Sequence, residues 1–180
     1  MMMNRHFYAV MVLLCMAHPV VAAGHGHGHG HIQVQGSIID TPCAIATSDA
    51  DQSIELGNVP ASELINDGHG PQVPFTVHLV NCVLNQNASQ THQPWKDVRI
   101  TFEGAADGPN LFALQGSGSG EGVAILDEIG TPVTPNQPVP PIKIVPGKMA
   151  LHYRMQLMGD SHPLQPGSYY TTLRYFMEYD

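Results

Sequence analysis

From Tyr169 to Tyr179 every second residue (Tyr169, Thr171, Leu173, Tyr175, Met177 and Tyr179) falls on one side of an extended chain. A period of two is the signature of a β-strand with one covered face, and it would scatter the same residues around a helix. The period recurs at Phe75, Val77 and Leu79 within 73–83, at Val98, Ile100 and Phe102, and at Met149, Leu151, Tyr153, Met155 and Leu157. Shorter apolar pieces lie at 53–56, closed by Gly57, and at 111–114, 123–126 and 142–145. Residues 32–39 (IQVQGSII) alternate as well, and PASELIN at 60–66 predicts one helical turn. The five prolines of 130–141 predict an extended connection and exclude a central strand there. Pro166-Gly167 turns the chain, 84–95 reads as a loop, and GSGSGEG at 116–122 reads as a flexible tract. Short strands between turn signals predict an all-β sandwich forming one domain. Eighteen glycines, fifteen prolines and only 12% charged residues suit that class.

The amino-terminal residues point to export. Arg5 supplies a positive start, Phe7–Ala17 is an apolar run of signal-peptide length, and Val20-Val21-Ala22-Ala23 offers small residues for cleavage after Ala22 or Ala23. The run is shorter than the roughly 20 apolar residues that span a bilayer, and His18-Pro19 ends it. Residues 1–23 therefore read as a signal peptide, and no transmembrane segment is expected once it is removed. Six Lys/Arg then face fifteen Asp/Glu, a formal balance of −9 that argues against nucleic acid or an anionic membrane as partner. Cys15 leaves with the leader. Cys43 and Cys82 remain, and in an exported chain a disulfide is the expected state, with two free buried thiols as the alternative.

An ordered set of motifs then carries a resemblance. G-x-I-x-x-T-P-C occupies 36–43, Leu56-Gly57 follows, PFTVHLVNC spans 74–82 and VRITFEG spans 98–104. The final alternating strand closes the sequence, with Tyr179 penultimate and Gly167 fourteenth from the end at Asp180. Together these resemble pilins of the chaperone–usher pathway, the subunits of type 1 and P pili. The resemblance implies an incomplete immunoglobulin-like sandwich that lacks its final strand and is completed by a donated one. The implied partners are a periplasmic pilus chaperone, an outer-membrane usher and neighbouring pilin subunits. The implied destination is a fimbrium on the cell surface, reached through the periplasm and supporting adhesion. Residues 24–42 become a donor-strand arm with a His/Gly-rich start, and 43–180 the pilin domain. In the arm, Ile32, Val34, Gly36 and Ile38 form the inserted face, with Gly36 at a shallow pocket. Gly167, Leu173, Tyr175, Met177, Tyr179 and Asp180 become the edge of the groove, where a chaperone would dock. Rod subunit, minor adaptor and terminator all fit these features. The passage from NCVLN (81–85) through 84–95 into VRITFEG resembles the terminator-like subunit of P pili and favours a minor subunit.

His25, His27, His29 and His31 alternate with glycine, and on a strand they would share one face. Imidazole binds zinc, copper or nickel, so a periplasmic metal-binding protein is the rival function from another class. A polar leader is the preferred reading of the tract, and no cofactor is expected. Nothing predicts an enzyme: no Ser/His/Asp set with an elbow motif is present, and Asp127-Glu128, adjacent on a strand end, face opposite ways.

Overall fold

The longest alternating runs form the longest strands. The computed structural model describes residues 32–37, 41–85 and 94–180. The chain divides into two units, Met1–Ile38 and Ile39–Asp180. In the first, residues 32–37 carry no regular secondary structure and are exposed; the elements below belong to the second. In chain order they are β1 (Ala44–Ile45), α1 (Ala61–Asp67), β2 (His69–Cys82), β3 (Asp97–Glu103), β4 (Phe112–Ala113), β5 (Gln115–Gly116), β6 (Glu121–Leu126), β7 (Ile142–Lys143), β8 (Gly147–Gly159), β9 (Tyr169–Tyr170) and β10 (Arg174–Tyr179).

The described strands pair antiparallel in two principal sheets. One has the order β1-β2-β8-β6-β4 and the other β10-β3-β7, while β5 and β9 form a separate pair. The alternation explains the layering, because each strand turns its apolar set inward. Val77, Leu79, Leu151, Val123 and Ile125 of the larger sheet meet Val98, Ile100 and Phe102 of the smaller, all buried. Phe102 links the layers, with its ring centroid 5.0 Å from Tyr153 and 6.1 Å from both Phe75 and Tyr175. Edge-on and tilted contacts of this kind add to the stabilisation from area burial. Strand β6 is buried at all six residues, as its place between β8 and β4 requires.

Cys43 and Cys82 are disulfide-bonded, joining the start of β1 to the end of β2. The bond closes a sequence separation of 39 residues, which in the chain-entropy view stabilises the fold by about 4 kcal/mol. Pro71 and Pro74 stand inside β2, where a central strand would lose hydrogen bonds. They are tolerated because β1 covers the outer edge of β2 only at Leu79 and Val80. Helix α1 ends at Gly68, whose left-handed backbone (φ 78°) lets its N–H donate to Leu64 O at 3.1 Å. Among the described residues no helix is long and apolar enough to cross a membrane.

Several expectations change in detail. Residues 32–37 form no strand, and 38–40 lie outside the described residues. Residues 53–56 pair with no described strand, although Ile54 and Leu56 still alternate inward. The run 169–179 divides into β9 and β10 because the two ends choose different partners, β5 and β3; inward and outward positions nevertheless alternate without a break from Tyr169 to Asp180. The glycine tract 116–122 packs closely instead of standing free. A Cβ at Gly120 would lie 2.6 Å from Pro163 O, and one at Gly167 would collide with the backbone of Ser117 and Gly118. Its Glu121 is buried at the head of β6.

Asp49 anchors the loop after β1. Its Oδ2 accepts the His78 backbone N–H at 2.6 Å and pairs with His78 Nδ1 at 2.7 Å, while Ser48 Oγ donates to Oδ1 at 2.8 Å. The His78 N–H, followed by Ser48, holds this carboxyl below its ordinary value of 3.8. The ionised form therefore stabilises the fold above pH 3.8, and that contribution is lost as the pH falls through the folded-state pKa. Asp107 and Glu121 act in the opposite sense, since burial and then the charge of Asp160 raise both.

Two predictions follow from these environments. In thermal melts from pH 7 to pH 2, Asp49→Asn should be less stable than the parent at neutral pH, and the gap should narrow on acidification below about pH 4. The Tyr153 hydroxyl is buried with no hydrogen-bond partner among the described residues. Removing an unsatisfied buried hydroxyl while keeping the ring should be neutral or stabilising, so Tyr153→Phe should raise the unfolding free energy by up to about 1 kcal/mol in urea titrations.

Candidate functional site

The smaller sheet stops at β10. That strand pairs with β3 from Arg174↔Glu103 to Tyr179↔Val98, and on its other side no described strand is hydrogen-bonded to it. Unpaired edges of this kind are templates for another chain. Beside it runs a groove of about 1070 Å³.

One wall is residues 167–175, leading into β10, and the other is residues 50–58. The second wall is also unpaired: among the described residues, none of 50–58 makes a backbone–backbone hydrogen bond. The floor is apolar and comes from both sheets, with Ile45, Phe75, Phe102, Leu114, Val123 and Met155. The groove is therefore a break in the side of the sandwich that exposes the flank of the core, bounded by the free outer edge of β10 on one side and by the unpaired segment 50–58 on the other. Its chemistry is that of an apolar, strand-shaped acceptor.

Two phenols cross from one wall to the other. Tyr169 Oη donates to Gly57 O at 2.8 Å, and Tyr175 Oη donates to Asp49 O at 2.6 Å. The crossings show that the walls run in opposite directions, 49 facing 175 and 57 facing 169. Burial raises the pKa of both phenols, with smaller contributions from the charges of Glu121 at Tyr169 and Asp49 at Tyr175. Both therefore remain protonated donors at neutral pH. These crossings join residues 112 and 126 positions apart, and no local pattern could have indicated them.

Of the expected groove-edge residues, Gly167, Leu173 and Tyr175 line the groove. Met177 and Tyr179 point to the same side but lie beyond it, packed against the core, with Tyr179 6.3 Å from the Trp95 ring. Asp180 lies past the end of β10. Its main-chain oxygen accepts the Lys96 N–H at 2.7 Å, and its side chain pairs with Arg99 at 2.9 Å. In the arm, Ile32 and Val34 are 93% and 87% exposed, and a Cβ on Gly36 would meet nothing within 4 Å. Ile38 and the four histidines His25, His27, His29 and His31 lie outside the described residues. Among the described residues no group of three or more His, Cys, Asp or Glu is placed to hold a metal ion.

Comparison with known proteins gives this geometry its context. A family model described as fimbrial protein matches residues 32–173. The PRS fimbrial minor pilin protein of Escherichia coli is 27% identical over 146 residues, 81% of this chain and 74% of that one. The Fimbria A protein of Serratia marcescens is 32% identical over 138 residues, 74% of this chain and 75% of that one. The P pilus rod subunit PapA shares the fold, with a TM-score of 0.66 at 21% identity over 78% of this chain and 100% of that one. The chain thus belongs to the fimbrial protein family, whose members are structural rather than enzymatic, and it is a structural subunit of a bacterial fimbria that contacts other pilin subunits.

Proposed function

We propose that the groove receives a β-strand donated by another polypeptide, and that residues 32–38 are the strand this chain donates in turn. The observation that carries this reading is the coincidence of an apolar floor with the free outer edge of β10 on one side and, on the other, a segment without backbone–backbone hydrogen bonds to the described residues. A strand laid there would gain backbone hydrogen bonds along β10 and bury alternate side chains on Ile45, Phe75 and Met155. The exposed Ile32 and Val34 supply such side chains on the arm.

In this scheme residues 1–23 are a signal peptide, 24–42 the arm and 43–180 the acceptor domain. A periplasmic chaperone first fills the groove, which would otherwise aggregate. At an outer-membrane usher the arm of the next subunit then replaces the chaperone strand. The likeness to minor pilins supports a minor position in the fimbria.

The test has two arms. Co-expressed with a pilus chaperone, the mature chain should form a one-to-one complex, and truncation after Met177 should abolish it; an unchanged complex in the truncated chain would remove β10 from the docking edge. Gly36 has open space around it, so Gly36→Leu should leave folding and chaperone capture intact. It should nevertheless reduce incorporation into fimbriae by tenfold or more, an order of magnitude set by forcing a bulky group into a shallow pocket. Normal incorporation of this variant would contradict the assignment of Gly36 to the inserted face.

A further inference from the structure

Segment 50–58 is the least supported part of the acceptor domain's wall. Among the described residues it makes no backbone–backbone hydrogen bonds. Gln52 Nε2 ties it to Thr76 O at 2.9 Å and to Asp49 O at 3.4 Å, and Leu56 packs on the core. Its two ends are held by the phenols of the opposite wall, Tyr175 at Asp49 and Tyr169 at Gly57. Each phenol is a stiff ring carrying one donor, so each bond sets a distance between the walls. A donated strand has to sit about 4.8 Å from each backbone it pairs with, and the separation of the walls thereby decides whether it can enter.

We infer that Tyr169 and Tyr175 are positioning residues that tether segment 50–58 across the empty groove and gate the uptake of a strand. This rests on the reading of the groove as a strand acceptor. It assigns to the two hydroxyls a role beyond packing: they hold the partnerless wall in place while the groove is empty, and the wall has to leave them for a strand to seat. The rings, which line the groove, serve the floor and are not part of the gate. Tyr→Phe substitutions therefore separate the two roles, because they keep the ring and remove only the tether.

The experiment measures uptake of a synthetic peptide of residues 29–40 by the mature chain freshly separated from its pilus chaperone at low concentration, so that the groove starts empty, with the parent, Tyr169→Phe, Tyr175→Phe and the double variant. Ser62→Ala, which removes an exposed hydroxyl on α1 away from the groove, is the control. Each lost hydroxyl bond should speed uptake about fivefold, the Boltzmann factor of one ordinary hydrogen bond. The double variant should be faster again, and Ser62→Ala should match the parent. A purely structural role would lower the melting temperature of the chaperone complex without speeding uptake. That result, or slower uptake, would overturn the gate while leaving the acceptor reading intact. If Tyr175→Phe failed to capture chaperone, Tyr169→Phe alone would decide the matter on the same criteria. Uptake by the double variant but not the parent would support the gate in its strongest form. No uptake by any of the chains would overturn the acceptor reading, and the gate with it.

Discussion

Strand β10 is bonded to β3 along one edge and to no described strand along the other. A sheet edge left in this state beside an apolar cleft is costly in two ways: its backbone groups lack partners, and the flank of the core meets water. Much of the rest of the domain can be understood as accommodating that edge. The two sheets enclose a buried core, around Val77, Leu79, Val123 and Leu151 of the larger and Ile100 of the smaller. The disulfide and the Asp49–His78 cluster fix β1 and the following loop against β2. The open side is thus confined to one groove, while the remainder is packed as an ordinary sandwich.

The same constraint accounts for the chemistry of the groove. Its walls have backbone hydrogen-bonding capacity to spare, its floor is hydrocarbon and aromatic, and no group of three or more potential metal ligands is assembled among the described residues. Under the proposed function such a site would recognise a shape and a backbone, with side-chain size as the selective element. That is the character of a structural family whose members contact one another. The arm has the complementary character, with large apolar side chains standing exposed at Ile32 and Val34.

The sequence made the strands legible because their period is local. The alternation at 73–83, 98–102 and 149–158 marks β2, β3 and β8, and the inward set of 169–179 remains inward. Partner choice was not legible, since it depends on residues far away in the chain. The alternation of 169–179 could not show that Tyr169 would pair with Gly116 and Tyr175 with Phe102, nor could Ile54 and Leu56 show that their segment would pair with no described strand. The glycines of 116–122 suggested freedom, yet several are small because neighbouring backbone leaves no room for a Cβ. Within the groove, the C-terminal face was readable, but the end of the cavity near Tyr175 and the opposite wall at 50–58 come only from the three-dimensional arrangement.

The central claim is that this domain lacks one strand and that its own kind of arm supplies it. The most direct measurement is the solution behaviour of the mature chain carrying a second copy of residues 29–40 on a short flexible linker after Asp180. The account predicts a soluble monomer that needs no chaperone and melts in a single cooperative transition, whereas the chain without the added strand aggregates or requires a chaperone. A mature chain that is already a stable monomer alone, and gains nothing from the added strand, would contradict it.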